Sequence, residues 1–237
     1  MRKTSLSSRR VLIRALALGL LPAPAFAQGL FGDRPARLPR DRSIYRLAGA
    51  VTVNGQDATL KTLIKTGDTI VTAKGAQIVF VVGTHAMILR GASTLTVGAA
   101  ATPEDSFVVR SLRLLHGALL SVSSGTAISL ATPTANVGVR GTGFYVESEP
   151  ERTYFCTCYG VTDVAAIDDA ASRATIESAH HDRPVYILRS GEAGRRIRNA
   201  PFINHTDEEL TLIEALVGRE PPFLFPKDSY GGPRREY

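Results

Sequence analysis

The middle of the chain alternates between short apolar runs and turn residues. Between residues 44 and 167, apolar or alternating runs recur at short intervals and are separated by Gly, Asn and Asp. Short, regularly spaced runs of this kind are typical of strands in an all-β fold. The run from residue 77 to 82 is apolar almost throughout, which predicts a strand buried on both faces. The pattern therefore predicts an all-β domain over residues 44–167.

The C-terminal part predicts one more strand and one short helix. Residues 184–189 form the strand pattern, and Thr206 and Glu209 are spaced as a capping box. The residues after the box form one apolar helical face and end at a glycine stop: Leu210, Ile213, Leu216, Val217 and Gly218. A helix this short is not stable alone, so it must dock on the β-domain. We therefore expect an extension over residues 168–218, followed by a tail over residues 219–237.

The N-terminus has the pattern of an export signal. Residues 1–14 carry basic side chains and no acidic ones, and a short apolar stretch then leads to an Ala-x-Ala sequence ending at Ala27. This order predicts a signal peptide over residues 1–27, cleaved after Ala27. The adjacent Arg9 and Arg10, followed by an apolar pair, resemble a twin-arginine signal. The alternative is an ordinary secretion signal with a chance arginine pair.

Cleavage would change the charge of the protein. The whole sequence has 28 basic and 22 acidic residues, a net charge of +6. Removing the five basic residues of the signal leaves 23 basic and 22 acidic residues, a net charge of +1. Nucleic-acid binding thereby loses its main support. We expect a periplasmic protein with no transmembrane segment in its mature form, beginning with a flexible lead-in over residues 28–43.

The two cysteines of the sequence are Cys156 and Cys158. On a strand, residues two apart point to the same face, so both sulfurs would lie together. A disulfide between such close neighbours would be strained, whereas two thiolates are half of a soft-metal site. His180 and His181 could complete the site, although in an extended segment they point to opposite faces. His205 is a further candidate.

The sequence thus predicts a metal site of Cys156, Cys158, His180 and His181 for zinc, copper or iron. Two alternatives stay open: a strained or redox-active disulfide, and cysteines that have no special role. Signatures of catalysis are missing, because the sequence has neither a Gly-x-Ser-x-Gly elbow nor a His-Glu-x-x-His helix. We therefore predict that the protein is not an enzyme.

Three blocks of the sequence share a pattern with a known family: GAVTVNG (49–55), LIKTGDTIVTAKGA (63–76) and ATPTANVGVRGTGF (131–144). Together they resemble the FecR domain, the periplasmic module of iron–siderophore signalling regulators. The resemblance implies a solenoid-like twisted β-sheet that binds partners and catalyses nothing.

The sequence also departs from that family. Full-length regulators of this kind have a cytoplasmic anti-sigma segment and a membrane helix, and neither pattern is found here. We expect a periplasmic binding or interaction module whose partner is a periplasmic protein or a cell-envelope component. The alternative function is a metal-binding sensor or redox protein that uses the Cys-x-Cys and histidine site.

Overall fold

The computed structural model describes residues 35–98, 102–123, 125 and 127–223. The predicted signal peptide and its cleavage site lie outside the described residues. The predicted lead-in is described only from residue 35, and the predicted tail only as far as residue 223.

The described part of the chain consists mainly of β-strands, which confirms the all-β class. Its strands are β1 (Ile44–Ala48), β2 (Val51–Val53), β3 (Gln56–Asp57), β4 (Thr69–Thr72), β5 (Gln77–Val82), β6 (His85–Leu89), β7 (Ser93–Val97), β8 (Ser111–Val122), β9 (Ile128–Ala131), β10 (Ala135–Ser148), β11 (Arg152–Ala166), β12 (Arg173–Ser178), β13 (Val185–Leu188) and β14 (Ile197–Asn199). They are accompanied by a short 3-10 helix (Pro103–Asp105) and one α-helix, α1 (Asp207–Leu216).

The strands form one 14-stranded sheet. Its main path has the order β14-β13-β11-β10-β9-β8-β7-β4-β2-β3; β12 branches from β11, and β1, β5 and β6 join at β8. The pairings between the described strands are antiparallel except for β8 with β9. The solenoid-like arrangement implied by the family resemblance is not confirmed, because long antiparallel pairs and not successive coils organise the sheet.

The two faces of the sheet are buried in different ways. An inner cluster draws apolar side chains from strands along the whole strand order, so the sheet must bend back over this face. An outer cluster is covered by α1 and contains tyrosines and both cysteines. Strand β5 contributes Ile78 and Phe80 to the inner cluster and Val79 to the outer cluster. The predicted burial of this strand on both faces is therefore confirmed.

A pair of bulges in the β10–β11 hairpin decides which side chains reach the outer face. The pairing register shifts on both sides of Gly143. Val164 and Ala166 of β11 belong to the inner cluster. Phe155 belongs to it too, although in a regular strand an odd-numbered residue would lie on the face opposite to these even-numbered ones. A bulge adds one residue to a strand and so exchanges the faces of all residues beyond it. Without this change, the even-numbered residues Cys156 and Cys158 would point inward with Val164.

Gly160 makes the bulge feasible. Its φ of +92° lies in the region that favours glycine. A Cβ atom at this position would lie 2.4 Å from Cγ2 of Thr142 on the paired strand. The absence of a side chain at residue 160 thus lets the two strands approach each other at the bulge.

Helix α1 begins and ends as its sequence predicts. The Thr206 side chain accepts a hydrogen bond from the Glu209 amide, and the Glu209 carboxylate accepts one from the Thr206 amide. Leu210, Ile213 and Leu216 are fully buried in the outer cluster, where α1 packs on β6 and β8.

Candidate metal centre

Cys156 and Cys158 lie side by side on the outer face of β11. Both residues are 0% exposed and belong to the outer cluster. The backbone carbonyl of Cys158 accepts a hydrogen bond of 2.9 Å from the amide of His181. This bond fixes the loop that follows β12 directly against the two cysteines.

The loop after β12 turns the His181 side chain toward the sulfurs. The Asp182 carboxylate accepts hydrogen bonds from the amides of Ala179 (2.7 Å) and His180 (3.2 Å) and so shapes a tight turn. Within the turn, His181 adopts a left-handed φ of +56°. A left-handed φ is uncommon in residues other than glycine, although histidine adopts it more readily than most.

His205 arrives from the segment just before α1. Its Nδ1 lies 2.7 Å from the carbonyl oxygen of Ile203, and its ring stacks on Tyr145 with a centroid distance of 4.5 Å. A carbonyl can only accept a hydrogen bond, so Nδ1 carries the hydrogen and donates it. The other ring nitrogen, Nε2, faces the cysteines and lies 3.4 Å from the sulfur of Cys158.

Four potential ligand atoms converge in this place. The sulfurs of Cys156 and Cys158, Nδ1 of His181 and Nε2 of His205 all lie within 4.8 Å of one another. The closest approaches are 3.5 Å from Cys156 to His181, 3.4 Å from Cys158 to His205 and 3.1 Å between the two imidazoles.

These separations fit a tetrahedral zinc site. Zinc bonds to sulfur and nitrogen imply ligand separations of about 3.6 Å between sulfur and nitrogen and about 3.3 Å between two nitrogens. The measured separations are 3.4–3.5 Å and 3.1 Å. Three of the six separations among the four ligand atoms therefore agree with zinc coordination, and all six are within 4.8 Å.

A second layer of hydrogen bonds orients both imidazoles. Nε2 of His181 donates to Oδ1 of Asp207 at 3.1 Å, as Nδ1 of His205 donates to the carbonyl of Ile203. Histidine ligands of metals commonly donate their other ring hydrogen to a carboxylate or a carbonyl, which fixes the tautomer and the ring orientation. Both types of support are present here.

The two thiols differ in acidity. A hydrogen bond from Cys158, opposed by burial and reinforced by His181 and His205, lowers the pKa of Cys156 to about 4. Burial raises the pKa of Cys158 above its ordinary value. Burial opposes protonation of His181, but its contacts with Cys156 and Asp207 raise its pKa. The contacts between Cys156 and His181 thus favour the thiolate form of the one and the protonated form of the other.

His180 lies next to this group and outside it. Its Nε2 lies 2.9 Å and 3.0 Å from the two carboxylate oxygens of Asp207, and its side chain is 38% exposed. Of the four ligands predicted from sequence, Cys156, Cys158 and His181 converge. The fourth place is taken by His205, which the sequence offered as a further candidate. His180, His181 and Asp207 form a second, more exposed potential metal group.

The supporting role of Asp207 had no sequence signal of its own, because an acidic residue in the first turn of a helix is common for electrostatic reasons alone.

Cys156, His181 and Asp207 also stand in the order of a nucleophile, a base and an orienting carboxylate. The Cys156 sulfur is buried and shares its surroundings with a second thiol and a second imidazole. These two sulfurs and two imidazoles are also a potential set of metal ligands.

Among the described residues, no helix is both long enough and apolar enough to cross a bilayer.

No curated protein matches the sequence. Two crystal structures of candidate anti-sigma factors from Parabacteroides distasonis are similar to it, with 16% identity and TM-scores of 0.44 and 0.43. Each match covers 56% of this chain and 58% of the other chain.

The family comparison is more extensive. The family described as FecR protein matches residues 40–160, which include all three sequence blocks and both cysteines, whereas His181 and His205 lie beyond it. Because this match covers just over half of the sequence, the chain belongs to the FecR family.

Proposed function

We propose that this chain is a periplasmic regulatory interaction module of the FecR family whose state depends on one bound transition-metal ion. The observation that carries the metal assignment is the convergence of two sulfurs and two imidazole nitrogens within 4.8 Å. Family membership supports the regulatory interaction role. The partner is a periplasmic protein or another component of the cell envelope.

Zinc is the metal that fits this site best. Two thiolates and two imidazoles in a tetrahedral arrangement are a common ligand set of structural zinc. Copper(I) and iron are the competitors, since both also accept sulfur ligands. The three closest separations between the ligand atoms agree with zinc bond lengths.

The ligand count also supports a role without catalysis. Catalytic zinc sites keep one coordination position open for water or substrate, whereas structural sites fill all four positions with protein ligands. Here four protein atoms are available, and Cys156, Cys158 and His205 are each no more than 3% exposed. A substrate would find neither a free position nor a path to the ion.

Export by the twin-arginine route suits such a site. The periplasm favours oxidation of thiols, and two adjacent sulfurs are exposed to that risk if they enter it without a metal. A chain exported after folding can bind its metal first.

Replacement of Arg9 and Arg10 by lysine should remove the protein from the periplasmic fraction, and Arg2→Lys should leave its export intact. Continued export of the double variant would contradict this route.

A dithiol redox function is the second candidate, favoured by the low pKa of Cys156 beside a second thiol. Two strand residues separated by one position have Cα atoms about 6.6 Å apart, at the long end of the disulfide range. The strain that this implies makes metal binding the better explanation.

Metal analysis of the purified chain tests the proposal. Protein recovered from the periplasm should contain about one equivalent of zinc, since structural zinc sites bind tightly at neutral pH. The Cys156→Ser, Cys158→Ser double variant should lose the metal and keep its β-sheet circular dichroism. His116→Gln, which changes an exposed histidine on β8, is the matched control and should retain the metal. Wild-type protein with no metal and two freely titrating thiols would contradict the proposal.

A further inference from the structure

The ligands of the candidate site come from three separate segments. Cys156 and Cys158 belong to β11, and His181 belongs to the loop after β12. His205 belongs to residues 201–217, termed here the C-terminal arm, which comprise a strap followed by α1. A metal ion bound to all four ligands would therefore join the arm to the sheet.

The arm depends on docking for its order. Helix α1 has 10 residues, and isolated helices of this length are marginal in water. Its buried Leu210, Ile213 and Leu216 pack in the outer cluster with apolar residues of the sheet. Detachment would thus expose apolar surface on the arm and on the sheet at the same time.

Polar contacts at the start of the arm hold the strap against the sheet. Arg90 donates hydrogen bonds to the Glu209 carboxylate at 2.7 Å and to the Asn204 carbonyl at 3.3 Å. The Asn204 side chain donates to Glu147 of β10 at 2.7 Å. The Arg90–Glu209 pair is only partly buried, and ion pairs of this kind contribute little.

The site is placed where it can control this attachment. His205 directly precedes the helix cap Thr206, and Asp207, the first residue of α1, accepts the hydrogen bond from His181. The ligand shell and the start of the helix are therefore the same piece of chain. Suppose that an ion binds only the docked arrangement and that its free concentration is 100 times its dissociation constant. The ion then makes docking about 100-fold more favourable.

We infer that metal occupancy controls whether the C-terminal arm is docked, and that loss of the metal releases the arm and uncovers the outer face of the sheet. This inference rests on the proposed metal function and specifies how the metal regulates the module. The part of this face that α1 covers includes apolar residues contributed by β6 and β8: Ala86, Ile88, Leu120 and Val122. The metal-free module would differ from the loaded one in the surface it presents to partners.

Amide hydrogen exchange on the full purified chain tests this inference. Exchange is measured by mass spectrometry on zinc-loaded protein and on protein stripped with a chelator. Amides of α1 should exchange at least about tenfold faster after stripping, because local opening governs their protection. Amides of β5 should change by less than about twofold, since this strand is paired on both sides within the sheet.

The variant His205→Gln removes the one ligand that the arm supplies. Its residual zinc binding, through Cys156, Cys158 and His181, should give no protection to α1. His116→Gln should show the full zinc-dependent protection of the wild type.

The outcomes distinguish a failure of the proposed metal function from a failure of the inference about the C-terminal arm. If the wild type binds no metal, the proposed function fails and this inference fails with it. If one equivalent binds and α1 exchange is unchanged, only the inference is overturned. Equal slowing of exchange in α1 and β5 would also overturn it, because the metal would then stabilise the whole fold and not the arm.

Discussion

The two faces of the β10–β11 hairpin use the same strands for different purposes. Toward the inner cluster, Phe144 and Phe155 stack with ring centroids 5.7 Å apart among aliphatic side chains. Toward the outer cluster, the neighbouring positions carry Tyr145, Tyr154 and Cys156. Adjacent residues of one hairpin thus serve an apolar core on one side and a polar, ligand-rich layer on the other.

The comparison teaches that the inner face can form from strands alone, whereas the outer face needs segments from elsewhere in the chain. The inner cluster is assembled by strand pairing and bending of the sheet. The outer face obtains its histidines from a loop and from the strap before α1. We therefore expect the inner face to determine the stability of the fold and the outer face to determine its response to metal.

The largest expected effect belongs to the inner face. Phe155→Ala removes a fully buried ring and should lower the free energy of unfolding by about 3–5 kcal/mol. Urea denaturation of zinc-loaded and zinc-free protein should give the same loss in both forms, because the ring does not face the metal site. A loss below about 1 kcal/mol, or one found only in the loaded form, would break the separation of the two faces.

The bulge that separates the faces should be the next most sensitive feature. Gly160→Ala introduces a side chain at a φ of +92° and against Thr142, and should cost about 1–3 kcal/mol and weaken zinc binding. The matched control is Gly138→Ala on β10, where the nearest atoms to the new Cβ are at 3.7 Å. Denaturation and zinc titration check both variants, and normal zinc binding by Gly160→Ala would show that the bulge does not position the sulfurs.

A smaller effect is expected from the support of His181. Asp207→Asn keeps a hydrogen-bond acceptor but removes the charge, and should weaken zinc binding about 10- to 100-fold. The free energy of unfolding of the zinc-free chain should change by less than about 0.5 kcal/mol, since asparagine can keep the local contacts. Competition with a zinc chelator measures the affinity. Unchanged affinity would mean that Asp207 does not support His181 in binding the metal.

The smallest effect should come from His180. Its contact with Asp207 is partly exposed, and such pairs contribute about 1 kcal/mol or less. His180→Gln should therefore weaken zinc binding by no more than about fivefold, whereas His205→Gln should weaken it much more. The same chelator competition compares the two. The reverse order would assign the fourth ligand to His180.

Local sequence patterns were sufficient to predict the class of the fold, the burial of β5 on both faces and the capping box at Thr206. Each depends on residues a few positions apart. The choice between His180 and His205 could not be predicted, because it depends on the left-handed turn at His181 and on where the strap crosses the sheet. The pairing of distant strands was also beyond a local pattern. The shared face of Cys156 and Cys158 follows from strand geometry, but which face it is depends on the bulges on both sides of Gly143.

X-ray absorption at the metal edge tests the central claim most directly. For protein purified from the periplasm, we predict a zinc edge whose first shell contains two sulfurs at about 2.3 Å and two nitrogens at about 2.0–2.1 Å. The Cys156→Ser, Cys158→Ser double variant should lose the sulfur shell. A wild-type shell made only of oxygen and nitrogen, or a sample without a metal edge, would contradict the assignment of the site.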